Sequence, residues 1–319
     1  MKDRITVTPR KIIIDTDPGQ DDAIAIMLAL AAPELDVLGV VSVAGNVSVQ
    51  HTTTNACKVL ELTGRTDIPV HAGCAAPLRR TPITAAHVHG QTGMDGPTLP
   101  DPILRPHTQH GVDFLIDTIR AHPPGSITVV TLGPMTNLAM ALVKAPDIAQ
   151  RMAGLVSMAG AWAQGGNITP SAEFNVYADP DAADIVLRHA IAHTLVPLDV
   201  THRFLVTPAR MAQLSALKGR CARAAAAMLG FSERFDLTKY GWDGAPLHDP
   251  CTIGWLLAPH LFAGREVNVS IEVDSPLMQG ATAVDWWHVT DRPRNALFLN
   301  DVESDGLWAL LLAHLERLP

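Results

Sequence analysis

The chain has 319 residues, of which 47% are hydrophobic and 18% charged, with a formal net charge of −8. This composition argues against disorder, and the excess of acidic residues argues against binding to nucleic acid. The polar N-terminus lacks an apolar signal core, and the uncharged apolar stretch at 23–33 is too short to span a membrane. The four cysteines form no CxxC pair, so neither a zinc site nor a disulfide framework is indicated. We therefore predict a soluble, cytoplasmic protein.

The first predicted strand leads into a cluster of aspartates. The apolar residues 12–14 predict a buried strand, and four carboxylates follow within eight positions: Asp15, Asp17, Asp21 and Asp22. Clustered carboxylates repel one another unless a cation lies between them, and oxygen ligands suit calcium or magnesium rather than zinc. The cluster predicts a hard divalent cation site, with the alternative that an aspartate at the start of the next helix is only a cap.

Apolar strands and amphipathic helices alternate along the rest of the chain. The predicted strands are 36–44, 68–72, 126–132, 154–159, 193–198, 266–271 and 295–299. The predicted helices are 23–30, 49–63, 111–121, 136–143, a segment from about 181, 208–229 with a break at Gly219, 231–240, 252–257 and 304–318. This rhythm predicts one α/β domain over 1–319, with an open, mostly parallel central sheet flanked by helices.

Two segments, about 74–110 and 230–247, are predicted as flexible active-site loops. The first is interrupted repeatedly by proline and glycine, and long loops inside a compact domain are often lids or binding loops. Polar residues also follow several predicted strands directly, as Asp17 and Asn46 do. Because ligands of parallel α/β sheets bind outside the carboxyl ends of the strands, the active site is predicted at that edge.

Several motifs, in order along the chain, resemble the inosine-uridine-preferring nucleoside hydrolase family. The stretch IIIDTDPGQDDAIA at 12–25 is similar to the family signature DxDPGxDDxxA. The motifs that follow in the family's order are GN at 45–46, GQTG at 90–93, GPMTN at 133–137, MAG at 158–160, AEFN at 172–175 and LHDP at 247–250. The resemblance covers about 11–315 and implies a Rossmann-like fold and calcium-dependent hydrolysis of a ribonucleoside to ribose and free base.

The resemblance also implies a role for individual residues. Calcium is expected to be held by Asp17, Asp22, Asp249 and the backbone carbonyl of Leu132, and Asp17 is expected to take a proton from the attacking water. The residues implied to lie against the substrate are Asp21, Asn46, His89, Met158, Asn167, Glu173, Asn175 and Asp249. His248 and His89 match base-side histidines, either of which can serve the leaving base as acid or hydrogen-bond donor. Asp15 is expected only to support the end of the strand.

The segment 239–251 most resembles the pyrimidine-preferring branch of the family. Uridine and cytidine are therefore the expected substrates, with purine or broad specificity as the alternative. Tyr240 and Trp242 are candidates for stacking on the base, or else pack the neighbouring helix. The resemblance further implies a homotetramer or dimer and a role in nucleoside salvage.

Two alternatives from other classes remain open on the sequence. A strand ending in Asp-x-Asp is also the nucleophile motif of haloacid-dehalogenase-like phosphatases, although the downstream residues of that class are not evident. A non-catalytic ribose- or calcium-binding protein would keep the same contacts without releasing a base. An EF-hand-like loop starting at Asp15 fails, because its twelfth position is Ile26 and not a bidentate glutamate.

Overall fold

The computed structural model describes residues 8–319, apart from the side chain of Asp236. The strands are β1 Arg10–Thr16, β2 Leu35–Ser42, β3 Val70–Ala72, β4 Ile127–Thr131, β5 Met152–Met158, β6 His193–Val196, β7 Leu205–Val206, β8 Ala245–Pro246, β9 Phe262–Val267, β10 Val269–Ile271, β11 Thr282–Val284 and β12 Ala296–Val302. The helices are α1 Gln20–Ala31, α2 Val49–Thr63, α3 Ala86–His89, α4 Gly111–Ala121, α5 Thr136–Lys144, α6 Phe174–Ala178, α7 Pro180–Leu187, α8 Leu198–Thr201, α9 Pro208–Ser215, α10 Arg220–Tyr240, α11 Pro250–Leu257 and α12 Ser304–Leu315. Short 3₁₀ helices lie at Pro146–Gln150 and Pro259–Leu261.

Within these residues a central sheet has eight strands in the order β3-β2-β1-β4-β5-β6-β12-β9. The strands from β3 to β12 pair in parallel, and β9 pairs antiparallel with β12 at the edge. The order runs outward in opposite directions from β1 and β4. This places a topological switch point, where ligands of such sheets bind, at the carboxyl ends of those two strands. The predicted open, mostly parallel α/β fold is confirmed.

Helices cover both faces of the sheet. Ile12 and Ile14 belong to the buried cluster formed with α1, α2, α10, α11 and α12, whereas Ile13 belongs to the cluster formed with α4, α5 and α7. Successive strand residues face opposite sides, so an uninterrupted apolar run is what a doubly covered strand requires. None of the helices within 8–319 combines the length and apolar character needed to cross a bilayer.

Several element boundaries differ from the predictions. The strand predicted at 266–271 is divided, because β9 ends at Val267 on the central sheet while β10 pairs with β11 in a separate hairpin. The predicted break at Gly219 is confirmed, since this glycine lies immediately before α10. The helix predicted at 231–240 is confirmed as the C-terminal half of α10, so most of the segment 230–247, also predicted as an active-site loop, is helical. The long segment at 74–110 contains one short helix, α3.

His193 on β6 is a buried histidine outside the predicted site. Thr131 Oγ1 donates to Ser157 Oγ at 2.7 Å, so the Ser157 hydroxyl is left to donate to His193 Nε2 at 2.8 Å. Burial lowers the pKa of His193 to about 3. The unfolded chain, with an ordinary histidine pKa near 6.5, binds more protons below that pH, so the fold loses stability as the pH falls from about 6.5 toward 3.

His193→Gln is therefore expected to reduce the acid sensitivity of the fold. Between pH 7 and pH 4.5 the wild-type chain should lose about 2–3 kcal/mol more unfolding free energy than the variant. Urea unfolding at the two pH values measures this difference, and the exposed His260→Gln serves as the control. Equal losses in wild type and His193→Gln would contradict the assignment.

Candidate active site

A cavity opens at the carboxyl ends of the central strands, where the topology places the switch point. Its empty volume is about 880 Å³, part of it open to solvent. The predicted site residues that line it are Asp17, Asp21, Asp22, Asn46, His89, Leu132, Met158, Asn167, Glu173, Asn175, Tyr240, His248 and Asp249. Of the residues predicted to contact metal or substrate, Trp242 does not line this cavity, and neither does Asp15, which was expected only to support the strand.

Four carboxylates from three parts of the chain lie together in the cavity. Asp17 follows β1, Asp21 and Asp22 lie in the first turn of α1, and Asp249 directly precedes α11. Burial, and then the neighbouring carboxylates, raise the pKa of Asp17, Asp22 and Asp249, and burial raises the pKa of Asp21 to about 6. A divalent cation removes this repulsion. The cluster offers only oxygen donors, so the residues fit a hard cation.

The carboxylate of Asp17 is fixed by its neighbours. Its Oδ2 accepts a hydrogen bond from the Asn46 backbone N–H at 2.7 Å. A Cβ at Gly45 would lie 2.0 Å from Oδ2, and a Cβ at Gly133 would lie 2.2 Å from Oδ1. Among the described residues, three carboxylates have ligand atoms within 4.8 Å of one another, namely Asp21, Asp22 and Asp249. Asp17 is not part of this group. The geometry therefore adds Asp21 to the predicted metal-ligating carboxylates.

Asp22 serves as a helix cap and also belongs to the acidic cluster. One of its oxygens accepts a hydrogen bond from Thr16 Oγ1, and the other accepts from the Gly19 backbone N–H at 2.9 Å. The second contact satisfies a backbone donor that has no partner inside the helix. Asn46 Nδ2 adds a contact at 3.3 Å to the same oxygen. Asp22 therefore caps the helix but is not only a cap, because it also belongs to the acidic cluster.

Leu132, whose backbone carbonyl is a predicted ligand, also lines the cavity. The Leu132 N–H donates to the carbonyl of Asp15 at 2.8 Å, which continues the β1–β4 pairing to the edge of the cavity. The Leu132 carbonyl accepts a hydrogen bond from Asn175 Nδ2 at 2.7 Å, and the same amide donates to the Met158 carbonyl at 3.0 Å. A carbonyl oxygen has two lone pairs, so that of Leu132 retains the capacity to bind a cation.

Backbone groups hold the remaining polar side chains in place. The carboxylate of Glu173 caps α6 and accepts hydrogen bonds from the N–H groups of Gly160, Asn175 and Val176. Burial raises the pKa of Glu173 to about 7. The Oδ1 of Asn167 accepts from the Phe174 N–H at 2.8 Å, and Asn46 Nδ2 donates to the Asp17 carbonyl at 3.1 Å. These contacts fix acceptors and amides at the cavity wall before any ligand binds.

Two histidines complete the polar part of the cavity. His89 lies over Gly19, where a Cβ would come within 2.6 Å of its Nδ1. His248 Nδ1 lies 2.7 Å from Thr201 Oγ1. Burial lowers the pKa of His89 to about 4 and that of His248 to about 3, so both imidazoles are neutral at neutral pH.

The sequence as a whole matches one known family. The family model for inosine-uridine preferring nucleoside hydrolase matches residues 12–309.

The chain belongs to this family.

An uncharacterised Schizosaccharomyces pombe protein is 52% identical over 309 residues, covering 97% of this chain and 100% of the relative. The pyrimidine-specific ribonucleoside hydrolase RihA of Photobacterium profundum is 44% identical over 307 residues, covering 96% of this chain and 98% of the relative. The solved structure of the plant nucleoside hydrolase PpNRh1 superposes with a TM-score of 0.91 at 33% identity, covering 97% of this chain and 99% of that one. The chain is thus a nucleoside hydrolase, an N-glycosidase, as predicted.

One wall of the nucleoside hydrolase cavity was missed from the sequence. Four residues of α10 that contribute to it lie on one face at spacings of three and four: Leu229, Ser232, Phe235 and Lys239. Ile168, Phe174 and His87 line the cavity as well. The helical spacing was visible in the sequence, but it does not tell which face of α10 points to the site.

Trp242 lies behind this wall of the hydrolase. Its ring stacks on that of Tyr240 with centroids 4.3 Å apart and an interplanar angle of 13°, and it also makes an edge-on ring contact with His202. Trp242 therefore packs at the end of α10 and does not line the cavity, and its contact with the base stays a prediction. Tyr240 lines the cavity, with Trp242 supporting its ring.

Proposed function

We propose that this nucleoside hydrolase depends on calcium and prefers pyrimidine ribonucleosides, releasing ribose and uracil or cytosine. The proposal rests on one observation: a single cavity contains a buried acidic cluster, polar groups held by backbone contacts, and the aromatic side chains of Phe174, Phe235 and Tyr240. A sugar needs the polar groups and a base needs a flat apolar surface. The pyrimidine-specific relative from Photobacterium profundum supports the base preference.

Calcium is supported by the donor set of the site. The proposed ligands are Asp17, Asp22, Asp249 and the Leu132 carbonyl, with Asp21 in reach of the same cation. No nitrogen or sulfur belongs to this group in the described chain, which disfavours zinc. When bound, the cation supplies Lewis acidity that makes a nearby water more acidic.

The chain's own residues complete the proposed reaction. Asp17 accepts a proton from the water whose oxygen attacks C1′ of the ribose, and the glycosidic electron pair leaves with the base, whose nitrogen then takes up a proton from the solvent. The residues proposed to bind the ribose and stabilise its developing positive charge are Asp21, Asn46, Met158, Asn167, Glu173 and Asn175. Because backbone contacts already hold several of these groups, little reorganisation is needed at the moment of reaction.

The histidines are proposed to be hydrogen-bonding groups and not acids. The pKa values of His89 and His248 are lowered by burial, and a cation at the carboxylates would lower them further. An imidazolium is therefore scarce at neutral pH. We accordingly favour the hydrogen-bonding role that the sequence left open beside the acid role.

A nucleoside panel assayed with and without chelator tests the proposal. We expect kcat/KM for uridine and cytidine to exceed that for inosine by about tenfold or more, the difference made by about 1.4 kcal/mol of transition-state binding. EGTA should abolish turnover, and calcium should restore it better than magnesium or zinc. A higher kcat/KM for inosine would contradict the pyrimidine preference, and full activity in EGTA after dialysis would contradict the calcium requirement. The cytoplasmic location, the role in salvage and the homotetramer or dimer stay predictions.

A further inference from the structure

Gln20 connects the start of α1 to the short segment that carries His89. We call residues 86–96 the lid segment. The side chain of Gln20 is buried, and its Nε2 lies 3.0 Å from the carbonyl oxygens of both His89 and Asp95. Its Oε1 lies 2.6 Å from His89 Nδ1. Gln20 is the variable position of the DPGxDD motif, and the resemblance gives it no role.

These contacts determine which nitrogen of His89 carries the proton. Both hydrogens of the Gln20 amide nitrogen are used by carbonyl oxygens, so the amide cannot be turned around without losing two hydrogen bonds. The Gln20 oxygen can only accept, so His89 Nδ1 must donate to it. A neutral imidazole has one N–H, which leaves a lone pair on Nε2. In the described chain that nitrogen has no hydrogen-bond partner, and the ring borders the cavity.

We propose that Gln20 is a positioning residue that fixes His89 as the Nδ1–H tautomer, so that Nε2 accepts a hydrogen bond from a donor group of the bound nucleoside. The donor is either an N–H of the base or a hydroxyl of the ribose. The identity of the ligand rests on the proposed function, whereas the tautomer does not. A ligand that presents only a carbonyl oxygen to Nε2 is disfavoured, because two acceptors would then face each other.

The packing around His89 supports a defined ring orientation. Gly19 leaves no space on one side, since a Cβ there would lie 2.6 Å from Nδ1 and 3.0 Å from Cε1. Turning the ring over would place a carbon against the Gln20 oxygen and lose the hydrogen bond. Gln20 thus acts on the ring itself through Nδ1 and on the lid segment through the two carbonyls. These two effects must be separated experimentally.

Asn55 on α2 provides the matched control for the lid effect. Its Nδ2 donates to the Pro18 carbonyl at 2.9 Å and to the Thr92 carbonyl at 2.8 Å. Asn55 therefore ties the lid segment to the same end of α1 without touching His89. Gln20→Met and Asn55→Leu each replace an amide that anchors the lid segment by an apolar side chain of similar size. Only the first removes the acceptor for His89 Nδ1.

Nitrogen-15 NMR of the histidine side chains tests the tautomer in the wild-type protein, with or without catalysis. The His89 signals, assigned by their loss in His89→Ala, should show a protonated Nδ1 and an unprotonated Nε2 at neutral pH. In Gln20→Met the Nε2–H form should become dominant, and Asn55→Leu should keep the wild-type pattern. An Nε2–H tautomer in the wild-type protein overturns the proposal. This measurement on the unmodified chain holds even if a variant fails to fold.

Kinetics with modified uridines tests the acceptor role. N3-methyluridine lacks the base N–H, and 2′-deoxyuridine, 3′-deoxyuridine and 5′-deoxyuridine each lack one ribose hydroxyl. For the wild type, kcat/KM should fall about tenfold or more for the analogue that lacks the donor, as expected for about 1.4 kcal/mol. Gln20→Met should lose about the same factor with uridine and show little further loss with that analogue. Asn55→Leu should keep the full discrimination.

The outcomes separate this proposal from the proposed function. Equal losses in Gln20→Met and Asn55→Leu, with discrimination unchanged, would reduce Gln20 to an anchor of the lid segment and overturn the proposal. The same conclusion follows if wild-type kcat/KM is unchanged for all four analogues, or if Gln20→Met still costs tenfold in a His89→Ala background. If no nucleoside is cleaved at all, the proposed function fails while the NMR result still decides the tautomer.

Discussion

Asp17→Asn is expected to lower kcat by about 10²–10⁴-fold at saturating uridine and calcium, the range assigned to a general base. Asparagine keeps an oxygen that can accept the Asn46 N–H now bonded to Asp17 Oδ2 at 2.7 Å, so the local fold should persist. It cannot take a proton from water. Calcium binding, measured by titration calorimetry, should weaken because one negative charge is lost, but it should remain measurable.

Asp179→Asn is the matched control for this substitution. Asp179 is also a buried carboxylate, but it does not line the cavity and instead accepts hydrogen bonds from the Leu78 N–H, the Thr136 hydroxyl and the Ala182 N–H. Its substitution should lower Tm and leave kcat close to that of the wild type. A near-normal kcat in Asp17→Asn would refute the base assignment.

Gly45→Ala is expected to reduce kcat by about 10²-fold, because a displacement of about 1 Å in a reacting group has effects of that size. The added Cβ would lie 2.0 Å from Asp17 Oδ2 and 2.9 Å from Pro134 Cδ. The Asp17 carboxylate cannot simply rotate away, since Gly133 closes the other side. The overpacking should also cost about 1–3 kcal/mol of unfolding free energy.

Gly230→Ala on α10 serves as the comparison. A Cβ at Gly230 meets nothing within 4 Å, and alanine favours a helix over glycine by about 1 kcal/mol. This variant should unfold at the same or a higher temperature with unchanged kcat. If Gly45→Ala turned over uridine as fast as Gly230→Ala does, the steric fixation of Asp17 would have no catalytic importance.

The sheet and the polar residues at its ligand-binding edge could be predicted from the sequence. A run of apolar residues such as Ile12–Ile14 indicates a strand buried on both faces, and polar residues directly after such strands indicate the edge where ligands bind. The divided segment 266–271 was out of reach, because leaving one sheet for another depends on available strand partners and not on local apolar character. The helix predicted at 231–240 was within reach of the sequence, but its continuity with the preceding helix as one element, α10, was not.

The different positions of Tyr240 and Trp242 could not be predicted from the sequence. Both are plausible base contacts there, yet Tyr240 lines the cavity and Trp242 stacks behind it. Their separation by two positions across Gly241, where a helix ends in a left-handed turn, decides which ring faces inward. The lowered pKa values of His89 and His248 were likewise not predictable from the sequence, because they come from burial by elements that are distant along the chain.

The sequence by itself determined the α/β class, the family and the motif residues that line the cavity, because these depend on residue types in a fixed order. The tertiary structure decided how the acids of the opening stretch are divided. It packs the backbone of two glycines, 45 and 133, against the Asp17 carboxylate and makes Asp22 a helix cap. It also places carboxylate oxygens of Asp21 and Asp249 within 4.8 Å of each other, close enough to share a cation. It also turned Gln20 from an unremarked position into the partner of His89. Distances and hydrogen-bond directions between remote segments arise only when the helices pack on the sheet.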